Sequence, residues 1–137
     1  MSQSTEAKNY SYLSQKPGIQ IFKPGTFDKI ELDGLLGKPE LNSQIIDVPV
    51  TATANPLTIG FFSMQPGDEF EFVYEFLEYK VITKGKFVLR DKQGNKYIAE
   101  AGDVVLFTPN VPVIFDGESD GEAIYTKHAA ADAAFMK

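Results

Sequence analysis

The chain has 137 residues, 13 basic and 19 acidic side chains, a net charge of −6 and no cysteine, which fits one domain with a substantial core. Without cysteine there are no disulfides, thiol nucleophiles or thiolate metal sites, and scattered basic residues on an acidic chain argue against a nucleic-acid partner, since phosphate binding needs clustered Lys and Arg. The first residues, MSQSTEAKNYSY, lack a basic region followed by an apolar run, and no stretch reaches the length of a membrane span, so the reading is a cytoplasmic protein with no membrane partner.

Residues 1–17 are polar and close on Lys16-Pro17-Gly18; they read as a flexible arm, with residues 18–137 forming a single domain. Short strands are predicted at Ile19–Phe22, Lys29–Leu32 and Gln44–Val50, punctuated by Pro24-Gly25 and by the stretch from Gly34 to Pro39. Eight more follow: Thr58–Met64, Glu69–Phe76, Glu78–Thr83, Lys86–Asp91, Lys96–Glu100, Val104–Phe107, Val113–Phe115 and Glu122–His128. All are rich in Phe, Tyr, Val and Ile. Gln93-Gly94-Asn95 reads as a tight hairpin turn, and the tail AAADAAFMK as a terminal turn or short helix. Many short strands without a long helix between them give an all-β, antiparallel architecture of jelly-roll type.

Alternate residues of a strand share a face. Phe70, Phe72, Tyr74 and Phe76 therefore form one side, read as inward, with Glu71, Val73 and Glu75 on the other. After a bend, Glu78, Lys80 and Ile82 share a face opposed by Tyr79 and Val81. Two readings of Glu78 and Lys80 stay open. They form an internal ion pair, or Glu78 serves as a general acid or base, with the Tyr74 hydroxyl orienting a substrate. Lys80 as a Schiff-base nucleophile is the least favoured reading.

His128 is the single histidine and reads as a surface or cap residue, since a transition-metal site needs three or more donors and no ligand spacing is present. No metal and no cofactor is expected. Asp116, Glu118, Asp120 and Glu122 alternate with small residues. They lack the acid that would close a calcium loop and read as a solvated hairpin loop between two strands.

Two segments carry a wider pattern. Gln65–Gly85 has Pro66-Gly67 at its opening, Glu78, and then Gly85 after six residues; Ala101–Phe115 has Gly102-Asp103 and Pro109. This layout resembles the paired motifs of the cupin superfamily. The usual motif histidines are missing: depending on register, Phe72 and Tyr74 (the preferred register), Glu71 and Val73, or Val73 and Glu75 stand at the first pair, Val113 at the last, and Asn110 replaces the glycine of the bend. The resemblance implies a double-stranded β-helix with Glu78 and Lys80 looking into its cavity, the two motif segments facing one another across it, and Phe72, Phe76, Ile82, Phe107 and Phe115 around a ligand. Residues 57–128 are similar to ethanolamine-utilisation cupins of the Q type, which also lack the histidine set and keep a glutamate at the position of Glu78. Lys80 departs from that subgroup, which carries an acid there, so its proposed activity does not carry over. Together these readings imply a small polar metabolite bound in the barrel. The protein is then either a metal-independent isomerase or lyase using Glu78, or a non-catalytic accessory protein. The family habit of pairing through sheets, together with the front arm, implies a homodimer.

Overall fold

A computed structural model describes residues 12–51 and 55–136. Nine strands run through them: β1 (Ile30–Glu31), β2 (Ser43–Pro49), β3 (Thr58–Met64), β4 (Phe70–Val73), β5 (Glu78–Arg90), β6 (Lys96–Glu100), β7 (Val104–Phe107), β8 (Pro112–Phe115) and β9 (Asp120–Lys127). Single 3-10 turns at Leu13–Gln15 and Ala133–Phe135 are the helical elements among the described residues, and no helix is long and apolar enough to cross a membrane. Every pairing is antiparallel. The path β1-β2-β3-β9-β5-β8-β4 forms one curled sheet, with β6 and β7 added along β5.

Strand β5 organises the curl. Its first half pairs with β7 on one edge and β9 on the other, and its second half with β6 and β8. The sequence reading breaks this strand near Gly85, because glycine commonly marks a turn. The structure keeps it continuous for 13 residues. A register shift between Ile82 and Lys84 opposite β9 and a φ of 67° at Gly85 make the bend without ending the pairing. A side chain at Gly85 would have its Cβ 2.0 Å from the Asp120 carbonyl oxygen, so glycine is required there.

The concave side holds the core. Phe62, Phe70, Phe87, Phe107, Phe115 and Tyr125 are all buried, and Phe70 stacks on Phe115 with centroids 4.7 Å apart. Burying each such side chain is worth about 1.5–3 kcal/mol. The two motif segments are neighbours in the sheet, not opposite walls: β4 pairs with β8 and the start of β5 pairs with β7.

Two further expectations need correction. Ile19–Phe22 is not part of any strand, leaving Ile19 93% and Ile21 75% exposed. The acidic loop does not join a hairpin, since β8 pairs with β4 and β5 while β9 pairs with β3 and β5. Nor is it fully solvated. Ser119 is completely buried; its hydroxyl accepts from the Val88 N–H at 2.9 Å and donates to the Val88 carbonyl at 3.3 Å. The tail forms a terminal 3-10 turn, as its sequence suggests, with the Asp132 carboxylate accepting from the Ala134 N–H. Residues 1–11 of the expected arm lie outside the described residues, while the Ser14 N–H donates to the Val50 carbonyl at 3.0 Å.

Candidate functional site

Antiparallel register builds the site row by row. Asp47 on β2 pairs with Gly60 on β3, Gly60 with Tyr125 on β9, and Tyr125 with Lys80 on β5. In the next inward row Thr58 pairs with Lys127, Lys127 with Glu78, and Glu78 with Phe107. Two acids, two lysines and a tyrosine thus share one patch of the concave face. Gly60 is what makes room for the tyrosine, since a Cβ at that position would lie 1.9 Å from the Tyr125 ring.

The charges resolve into two buried pairs. Lys80 Nζ lies 2.8 Å from Glu78 Oε2, and Lys127 Nζ lies 2.5 Å from Asp47 Oδ2. All four side chains are at least nine-tenths buried. Asp47 is the more heavily bonded acid. It also accepts from the Tyr125 hydroxyl and from the Asp132 backbone N–H at 2.8 Å, which fastens the C-terminal tail over the barrel. The Tyr125 hydroxyl lies 3.0 Å from the Ile46 carbonyl as well.

The two phenols stay protonated donors through the neutral range. Burial, then the Glu78 charge and the hydrogen bond to it, push Tyr74 well above its usual value. Burial, then the Asp47 charge and its hydrogen bond, do the same to Tyr125. The ammonium groups are differently placed. Lys80 Nζ lies 4.4 Å from the Tyr125 ring centroid and 5.0 Å from that of Phe62; Lys127 Nζ lies 5.3 Å from Phe76 and 5.9 Å from Phe135. Cation–π attraction compensates part of their lost hydration. Each ammonium makes one side-chain hydrogen bond, to its acid, while it has three donors.

These groups surround a cavity of about 50 Å³, walled by the two pairs, Tyr74, Tyr125 and an aromatic ring that includes Phe72, Phe76, Phe115 and Phe135. Glu78, Lys80 and Tyr74, picked out from the sequence, therefore stand together. Phe72, Phe76 and Phe115 line the cavity. Ile82 and Phe107 do not: both belong to the packed core, and Phe107 acts from beneath by stacking on Tyr74 at 4.6 Å. The sequence reading missed Asp47, Tyr125, Lys127 and Phe135. A signal existed for three of them, because Asp47 falls in phase with inward Ile45, and Tyr125 and Lys127 in phase with inward Ala123.

Among the described residues no three His, Asp or Glu side chains gather, His128 is exposed, and the only acids in the cavity already hold ammonium groups that would repel a cation.

No family profile matches the sequence, and no curated protein is similar to it. Solved structures are. The EutQ protein of Clostridium difficile is 15% identical with a TM-score of 0.56, over 74% of this chain and 75% of that one. An RmlC-like cupin from Shewanella frigidimarina is 14% identical with a TM-score of 0.58, over 82% and 93%. KdgF from Halomonas sp. is 16% identical with a TM-score of 0.57, over 82% and 96%. The curled antiparallel sheet, with its inward-facing Glu78, has the fold of the cupin superfamily.

Proposed function

We propose that the barrel binds a small polar molecule, without a metal ion, and holds it through the free N–H donors of Lys80 and Lys127. The observation that carries this reading is the mismatch inside the cavity. Each buried ammonium has one acceptor where it has three donors, whereas Asp47 is fully engaged. A guest presenting carbonyl, hydroxyl or carboxylate oxygens supplies the missing acceptors. A cavity of about 50 Å³ limits it to a few heavy atoms, because sites for larger ligands are roughly 300–1,000 Å³. The binding role is favoured over turnover, since both carboxylates are committed to ion pairs. A second reading, acid–base catalysis by Glu78, draws on the Tyr74 hydrogen bond to that carboxylate. A homodimer in the cytoplasm belongs to the same proposal and rests on composition and on the fold's habit of pairing.

A crystal structure of protein grown without additives tests the reading. It is supported by an ordered molecule within hydrogen-bond distance of Lys80 or Lys127 Nζ, and opposed by a cavity whose ammonium groups are satisfied by protein atoms alone.

A further inference from the structure

The charges that line the barrel cavity cancel, both in sum and place by place. Among the described residues its wall carries four: the carboxylates of Asp47 and Glu78 and the ammonium groups of Lys80 and Lys127. Their signs alternate. Lys127 stands directly across from Glu78 on the neighbouring strand and pairs with Asp47, while Lys80, two residues beyond Glu78, pairs with that glutamate. No part of the wall is therefore of one sign. The two phenols add nothing to the sum, since burial and the adjacent carboxylates keep Tyr74 and Tyr125 protonated and neutral. The ion pairs of Arg90, Lys92 and Lys96 involve side chains outside this wall.

The rest of the wall is apolar, with Leu32, Ile45, Phe62, Phe70, Phe72 and Phe76 among its residues. An isolated charge is costly in such surroundings, and a charged guest finds no free counter-ion. An anion would have to displace Glu78 from Lys80 or Asp47 from Lys127, stranding the displaced carboxylate. A cation meets two acids that are already engaged. Glu78 accepts from Lys80 and Tyr74, and Asp47 from Lys127, Tyr125 and the Asp132 N–H. Two ammonium groups beside them repel it further. An uncharged oxygen avoids both costs, because it takes a spare N–H of either lysine and leaves both pairs whole.

We infer that the cavity selects uncharged guests, short ketones or alcohols, over carboxylates and amines of the same size, and that Asp47 and Glu78 set this preference by cancelling the two lysines. The inference rests on the binding reading proposed above and names its ligand class. Selectivity of this kind comes from what the site leaves unpaired when the wrong guest enters. The same origin makes the preference invertible. Glu78→Gln keeps an acceptor for Lys80 but leaves one positive charge uncancelled, so this variant takes the anion. Lys80→Met leaves one negative charge uncancelled and takes the cation.

Acetone, acetate and isopropylammonium are nearly equal in size and differ in charge. Each is titrated at neutral pH into the full chain, and binding is read on the Tyr74 and Tyr125 ring resonances, so that surface lysines do not contribute. The wild type should bind acetone about tenfold or more tightly than either ion. Acetate or isopropylammonium binding as tightly as acetone keeps the binding reading and overturns the selectivity. The variants, checked for folding by far-ultraviolet circular dichroism, test the residues that set it. In Glu78→Gln the order of acetone and acetate should reverse, and in Lys80→Met that of acetone and isopropylammonium. Reversal in either folded variant supports the assignment, and an unchanged order in both refutes it. If neither variant folds, the wild-type comparison decides. The absence of a saturable shift with all three probes overturns the binding reading and the selectivity together.

Discussion

The two buried ion pairs face one cavity but are built differently. Glu78 and Lys80 sit two residues apart on one strand, and their pairing is a consequence of strand alternation. Asp47 and Lys127 are 80 residues apart and meet only because β2, β3 and β9 are in register. The first pair is supported by Tyr74 and by the rings around Lys80. The second is tied to Tyr125, to the backbone of Asp132 and so to the tail that covers the barrel. The local pair is therefore a feature of one strand, and the distant pair ties β2, β9 and the tail together.

If that contrast is right, the distant pair matters more to stability. Asp47→Ala should give the largest effect, a loss of about 3–5 kcal/mol in urea unfolding, because it strands the Lys127 ammonium in an apolar site and releases the tail. Glu78→Gln should cost less, about 1–3 kcal/mol, since the amide oxygen still accepts from Lys80 and the aromatic rings remain. Equal losses from the two substitutions would remove the distinction.

The phenols sharpen it through pH. In the unfolded chain a tyrosine loses its proton near pH 10, whereas burial keeps Tyr74 and Tyr125 protonated well above that in the folded state. Between those values the unfolded state binds fewer protons, so stability falls as pH rises through the alkaline range and is fully present below about pH 10. The limiting slope is about 1.4 kcal/mol per pH unit for each tyrosine. Tyr74→Phe should remove one tyrosine's share of that slope while costing only about 0.5–1.5 kcal/mol at neutral pH, the value of one hydrogen bond. An unchanged alkaline slope in Tyr74→Phe would mean that its phenol is not held protonated by the fold.

The same contrast explains what the sequence revealed. The run Phe70 to Phe76 and the pair Glu78 and Lys80 were legible because period-two alternation is a local property, and Thr58–Met64, Lys96–Glu100 and Val104–Phe107 appear with their predicted ends. Asp47 and Lys127 were not legible as partners, since only strand register brings them together. Gly85 misled for a different reason. Glycine signals both a turn and a bend within a continuous strand, and the choice depends on whether β9 is there to keep pairing. Ile19–Phe22 was read as a strand from its own pattern, but a strand needs a neighbour, and no strand among the described residues pairs with it.

The most direct measurement of the binding reading follows the lysine side-chain ammonium resonances while two- to four-carbon carbonyl, carboxylate, alcohol and amine compounds are added. The account predicts that oxygen-bearing compounds shift the Lys80 and Lys127 signals saturably and that Lys127→Met weakens the binding at least tenfold. Shifts from amines alone, or binding that Lys80→Met and Lys127→Met both leave intact, would contradict it.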